Sequence, residues 1–205
     1  MELIRSNRTE KLADALASRV HEEPLGPLEK ETIVVQSRGM AHWLTLALSE
    51  RLGSWSNPSF PFPRLVIEQI LDSLSLGSCD EAIAYDPGQL KWTIAELLRK
   101  SVPAELKTYL GEPPSPDRVL RLATSVATVF DGYLMHRPVR LKGWEQGKET
   151  HWQAELWRRI VARIGPNHLA SRVTEALGVL RAMPPVEAMP FKRLHLFSLE
   201  TLPPL

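Results

Sequence analysis

Within the first 53 residues, an apolar run, a short polar break and an apolar stripe at helical spacing occur twice in succession. No other feature of the chain restricts its fold so strongly. Met1–Ile4 opens the first unit, Ser6-Asn7-Arg8-Thr9 breaks it, and Leu12, Ala13, Leu16 and Val20 then recur on one helix face. Asn7 followed three residues later by Glu10 fits a capping box, so the segment reads as strand, turn, helix. In the second unit Thr32-Ile33-Val34-Val35-Gln36 is a β-branched run and Ser37-Arg38-Gly39 a turn. Met40, Trp43, Leu44, Ala47 and Leu48 then mark a helix that stops at Gly53. Two such units predict a parallel α/β sheet, because helical crossovers are what join parallel strands.

The alternation then stops. Pro58, Pro61 and Pro63 stiffen a connector, and beyond it the periodicity predicts helices over 64–76, 89–100, 116–134, 152–164 and 169–182. Pro116 after Ser115 marks a helix start, and Arg137-Pro138 a stop. Pro184, Pro185 and Pro190 precede a last apolar run, Arg193–Ser198, which reads as a third buried strand. A parallel strand normally needs a following element to cover it. Only Thr201-Leu202-Pro203-Pro204-Leu205 remains, so the chain is expected to be a fragment of a longer protein. The expected architecture is a helix-rich α/β fold, a partial parallel sheet carrying a large helical insertion.

Hydrophobic residues at 43% and charged residues at 24% suit a globular chain. No apolar run approaches the roughly 18 residues of a membrane span, and charges interrupt Met1–Val20 where a signal peptide would be apolar. A cytoplasmic protein with no membrane partner is expected. One cysteine, Cys79, excludes a disulfide within the chain and a cysteine-based zinc site. Lys and Arg number 25 against 24 Asp and Glu, a net charge of +1, which excludes a uniformly basic nucleic-acid binder but not a local patch. Arg158, Arg159 and Arg163, clustered on one predicted helix, read either as such a patch or as a solvated face.

Ligands of parallel sheets bind at the loops after the strands, here Arg5–Thr9, Ser37–Gly39 and Ser198–Thr201. The first occupies the place of a phosphate-binding loop but has no glycine to let backbone N–H groups wrap a phosphate, and no Gly-Lys-Ser/Thr. The third carries Phe197 and Ser198 where a magnesium-binding aspartate is wanted, and Glu200 reads as a surface carboxylate. The six histidines are scattered without an i,i+4 pair, and Cys79, in the Gly77–Asp80 loop, lacks a local base. A non-catalytic segment with no cofactor and no metal is expected. The second loop is richer. Gln36, Ser37, Arg38 and His42 surround a helix N-terminus, which offers N–H groups to a phosphate, while Arg38 can pair with phosphate or stack on a base. Met40 and Trp43 read as core, and Arg38 equally as a solvated surface charge. A second polar group, Phe130–Pro138, holds Asp131 and Arg137. There Arg137 could instead satisfy helix C-terminal carbonyls, and Asp131 could be a helix-surface charge.

These stretches resemble the N-terminal part of the RecC family, the gamma subunit of exodeoxyribonuclease V. The resemblance rests on Ser6-Asn7-Arg8, Val35-Gln36-Ser37-Arg38-Gly39-Met40-Ala41-His42-Trp43-Leu44, Phe60-Pro61-Phe62-Pro63, Phe130-Asp131-Gly132-Tyr133-Leu134 with Arg137-Pro138, Gly143-Trp144-Glu145, Trp152–Trp157 and Leu202-Pro203-Pro204, in family order. It implies a P-loop, superfamily 1 helicase-like fold that has lost its ATP site. Residues 1–76 would be the first part of the α/β subdomain, 77–189 an inserted helical subdomain, and 190–205 the strand returning to the sheet. It also implies a RecB-like helicase-nuclease and a RecD-like helicase as partners, with 3′-ended single-stranded DNA scanned for a Chi-like hotspot. Among the positions that such a role would involve, Gln36, Asp131 and Arg137 keep the family residue. Arg38, His42 and Phe62 match in position but not in type, and Gly132 lacks a side chain there, so DNA contact is expected with a different preferred sequence. Two other readings stand beside this one: a structural scaffold that docks partner subunits, and a nucleotide-binding ATPase with an unorthodox loop.

Overall fold

The strand β1, Glu31–Val34, is buried at every position, as is Val35 after it. A β-branched run covered on both faces is what the centre of a parallel sheet requires. In this computed structural model, which describes residues 2–26, 28–55, 57–74, 79–182 and 189–199 (without the side chains of 79–81), the sheet has three strands. β2, Pro58–Ser59, and β3, Leu194–Leu196, flank β1, both parallel to it. Thr32 stands opposite Ser59 on one side and Leu194 on the other. The helices α1, Thr9–Glu22, and α2, Arg38–Leu52, pack on each other. Ala13, Leu16 and Ala17 of α1 and Leu44, Ala47 and Leu48 of α2 form one buried cluster with Ile33, Val35 and Phe197. α2 stops at Gly53, whose φ of +76° a side chain would resist.

Three expectations for this region change. Residues 2–7 form no strand, and Leu3 and Ile4 are 67% and 49% exposed. Both edges of β1, the strand buried throughout, are taken by β2 and β3, so only the outer edges of these less buried strands remain open to a further strand. Asn7 and Glu10 make no capping box, because the N-cap is Arg8; Glu10 is thereby the second helical residue, one short of the position that could reach back. Ser6 Oγ instead accepts from the Arg8 N–H at 3.1 Å. β3 is only half-buried, with Leu194 and Leu196 exposed, because it lies at the sheet edge rather than in the centre. β2, within the proline connector, was not anticipated. Pro58 is tolerated there because an edge strand keeps one side free of ladder bonds.

The chain divides into two compact units, Met1–Leu74 with Pro185–Leu202, and Ser75–Pro184 with Pro203–Leu205. The first also contains α3, Pro63–Ser73. The second is helical: α4 Cys79–Ala84, α5 Pro87–Lys100, a 3₁₀ turn at Ala104–Leu106, α6 Lys107–Leu110, α7 Pro116–His136, α8 Pro138–Glu145, α9 Trp152–Ile164 and α10 Leu169–Ala182. α3, α5, α7 and α8 each begin with a proline in the first turn, where a missing N–H costs nothing. Cys79, expected in a loop, begins α4. The core of this unit is aromatic. Phe130 meets Trp144 and Trp157 edge-on, at centroid separations of 6.1 and 5.4 Å, and all three are fully buried. Among the described residues no helix is long and apolar enough to cross a membrane. Gly77, Ser78, Pro184, Pro185, Glu200 and Thr201–Leu205 lie outside the described residues.

Candidate nucleic-acid interface

Parallel strands present their carboxyl ends at one edge, and the bonds there draw three segments together. The Val35 N–H donates to the Pro61 carbonyl at 3.2 Å, and the Phe197 N–H to the Val34 carbonyl at 3.0 Å. Gln36–His42 follows β1, Phe60–Phe62 follows β2, and Ser198, held at φ 49°, follows β3.

Ser37 is the N-cap of α2, with extended backbone (φ −149°, ψ 156°) and an Oγ that accepts from the Met40 N–H at 3.1 Å. Its carbonyl accepts the Ala41 N–H at 3.1 Å. Those two bonds leave the N–H groups of Arg38 and Gly39 at the open mouth of the helix. Arg38 and Gly39 were expected in a turn and are instead the first two helical residues. The first turn of α2 has no acidic residue, so nothing offsets the positive end of the helix dipole. Arg38 and His42 are one turn apart, hence on one face, and both are exposed, as are Gln36 and Ser37. Gln36 is nonetheless not without interactions. Met40 and Trp43 point the other way and pack against the core, Trp43 lying 6.4 Å from Phe197 ring to ring. Phe62 is the N-cap of α3 and 41% exposed. A cation, a helix mouth and an open aromatic ring at one sheet edge can bind a phosphate and stack a base.

Asp131 and Arg137 belong to the other unit. Asp131 is half-buried on α7 and has interactions there. Arg137 joins α7 to α8, and its guanidinium lies over the Tyr133 ring, 5.4 Å from the centroid. Arg140 lies over the same ring at 5.9 Å and over Trp144 at 5.3 Å. Gly132 faces open space, with nothing within 4 Å of where a Cβ would stand.

Of Arg158, Arg159 and Arg163, the first two are engaged inside the unit, while Arg163 lies on a solvated face. Arg158 donates to the Trp144 and Glu149 carbonyls, both at 2.9 Å, and Arg159 to those of Leu97 and Ser101 at 2.8 and 3.3 Å. Arg163 lies 3.9 Å from Glu96. Trp144, Leu97 and Ser101 lie at the carboxyl ends of α8 and α5, where helix ends leave carbonyls short of intrahelical donors, and Arg158 and Arg159 supply donors there.

Sequence reasoning missed a buried ionic cluster at the other end of the sheet. Glu31 opens β1 with its carboxylate held by Arg193 at 2.9 and 2.6 Å and by His195 Nε2 at 2.7 Å. Burial is the largest single influence on Glu31 and opposes its ionisation. The hydrogen bonds from Arg193 and His195 together outweigh it and hold the carboxyl below its ordinary range. Burial likewise pushes the His195 imidazole down, against the pull of Glu31. The available signal was the i,i+2 pair Arg193 and His195 on one face of a strand, with an acid at the start of its partner. A second pairing joins His168 Nε2 and Trp157 Nε1 to Glu145 Oε1, each at 2.9 Å. Among the described residues no three His, Cys, Asp or Glu come together as a metal-binding set.

The model of the RecC N-terminal domain matches residues 1–205. The chain is 30% identical to RecBCD enzyme subunit RecC of Escherichia coli (strain K12), over 98% of this chain and 19% of that protein. It is 26% identical to the Haemophilus influenzae RecC subunit, over 97% of this chain and 21% of that protein. With the Mycolicibacterium smegmatis subunit the figures are 28%, 99% and 19%. The chain thus spans about a fifth of the length of these relatives. It belongs to the RecC family, through the N-terminal domain.

Proposed function

We propose that this chain is the amino-terminal, non-catalytic part of a subunit of a RecBCD-type exodeoxyribonuclease complex acting in recombinational repair, and that it guides the 3′-ended single strand for Chi-like hotspot recognition. One observation carries the reading: the Ser37-capped mouth of α2, with Arg38 and His42 on one exposed face, at the same carboxyl edge of the sheet as Phe62. In this role a backbone phosphate sits on the N–H groups of Arg38 and Gly39 and on the Arg38 guanidinium. Gln36 and His42 read base edges and Phe62 stacks a base. Asp131 and Arg137, in the helical unit, are separate candidate contacts to the strand. The fold reading is a helicase-like, P-loop-derived sheet with a lost ATP site, 1–76 and 190–205 forming the α/β part and 77–189 the insertion. Its support is the parallel order β2-β1-β3, with Leu194–Leu196 returning to pair with β1 after the long helical stretch. RecB-like and RecD-like subunits are the partners this reading requires.

A purely structural scaffold is the second reading, favoured by Arg158 and Arg159 of α9 being spent on internal carbonyls. Fluorescence anisotropy of a labelled single-stranded oligonucleotide over a salt series separates the two. Guiding predicts binding that weakens with salt and drops with Arg38→Ala, in this chain and in the assembled complex. An assembled complex whose strand binding and hotspot response ignore Arg38→Ala and His42→Ala leaves the scaffold.

A further inference from the structure

The helical unit carries a feature that strand guiding does not use. α5 and α7 pack on each other through Leu90, Ile94 and Leu98 of the first and Val119, Ala123 and Val126 of the second, all buried. Beside this seam runs a groove of about 630 Å³, with an apolar floor of Ala95, Pro116, Val119 and Leu120. Trp92 stands at its wall, 57% exposed, with the Lys91 ammonium 5.1 Å from its ring centroid. Trp92 and the 38% exposed Leu120 line one groove with Ala95 and Pro116, and a contiguous apolar patch rimmed by charge marks an interaction surface, in which tryptophan and arginine carry much of the binding energy. The charged end of the groove is Glu96, Arg99 and Lys100. Glu96 is already neutralised by Lys100 at 2.5 Å, with Arg163 at 3.9 Å. Arg99 is exposed and makes no ion pair among the described residues, which leaves the groove net positive. The unit as a whole has 15 Lys and Arg against 12 Asp and Glu.

We infer that this groove docks an amphipathic helix of another subunit, its apolar face against Trp92 and Leu120 and an acidic residue against Arg99. The inference rests on the reading that the chain works inside a multi-subunit complex. From Trp92 to Lys100 α5 rises about 12 Å, roughly two turns, which matches apolar anchors at i, i+4 and i+7 of a docked helix. A nucleic-acid strand fits less well. Its phosphates need several free cations, whereas here Lys100 and Arg163 face Glu96 and Lys91 covers the indole.

The test is photo-crosslinking in the assembled complex of the full-length subunit with its RecB-type and RecD-type partners, with and without DNA. Trp92→p-benzoylphenylalanine is the probe, Val139→p-benzoylphenylalanine the exposed control elsewhere in the unit, and melting temperature the check of folding. The expected result is one crosslinked partner peptide, helical, amphipathic and acidic, absent with the control. Its yield falls at least five-fold when Arg99→Glu is added. A crosslink to DNA, to the subunit itself or to nothing overturns the inference, as does a yield indifferent to Arg99→Glu. Failure of the unsubstituted subunit to assemble with those partners would sink the complex-based reading as well. Assembly without the crosslink sinks only the groove.

Discussion

The arginine at the mouth of α2 and the arginines of α9 are the same side chain put to opposite uses. Arg158 and Arg159 reach carbonyls of other segments and hold helices together, so their donors are already engaged within the unit. Arg38 sits exposed on a capped helix mouth with no acid in that turn, so its charge is directed outward. A cluster of basic residues is therefore not by itself a binding surface, and a single arginine beside unpaired N–H groups is a better candidate. What separates the two is the supply of carbonyls within reach.

Four measurements would break or sharpen this contrast. The largest effect is expected for Trp157→Ala, which empties the aromatic core around Phe130 and leaves the Glu145 carboxylate with His168 alone. A loss of about 3–5 kcal/mol in denaturant-induced unfolding is expected, and a loss under 1 kcal/mol would mean that the helical unit is not held by this core. Next is Arg158→Ala, which deprives two carbonyls of a charged donor and should cost about 2 kcal/mol. Strand binding per folded molecule should stay unchanged, and weaker binding at equal stability would return α9 to the interface. Arg38→Ala should do the reverse. Stability should stay within about 0.5 kcal/mol, while affinity for single strands falls about five-fold, roughly 1 kcal/mol, with a shallower salt dependence.

The effect of pH should be the most gradual. Glu31 is held below its ordinary value in the folded chain, so its contribution is fully present above the unfolded carboxyl range and is lost as pH falls through the folded value. His195, also lowered, is neutral when folded and is penalised by protonation, so it too loses stability toward acid, beginning below its ordinary value of 6.5. Melting temperature should thus be flat above neutrality and decline below about pH 6, with a gentler decline in His195→Gln. An unchanged slope in that variant would remove His195 from the account.

Most of the longer helices were legible. Periodic stretches correspond to α3 in the first unit and to α5, α7, α9 and α10 in the helical unit, and Ser115-Pro116 and Arg137-Pro138 bracket α7. Short elements such as α4, α6 and α8 escaped because four to eight residues carry too few apolar repeats to show a period. The α2 mouth was legible as a polar group at a helix start, though Ser37 was read as part of a turn rather than as the cap. The failure at Leu3 and Ile4 has a different origin, since an apolar run shows that a segment could be a strand but not whether it pairs with an edge that the folded sheet leaves open.

By itself, then, the sequence determined what acts within a turn or two of its own position. Prolines at helix starts, the Ser37 cap, Gly53 at the end of α2 and the apolar stripes all work through adjacent backbone groups. Only the tertiary structure decided which strands pair, that β3 is an edge, and that Glu31 meets Arg193 and His195 across more than 160 residues. It alone decided that Arg159 is bound to carbonyls 58 and 62 residues away while Arg38 stays exposed. The reason is physical: a guanidinium or a strand edge is satisfied by whatever the folded chain brings to it, and that geometry is not encoded in its neighbours.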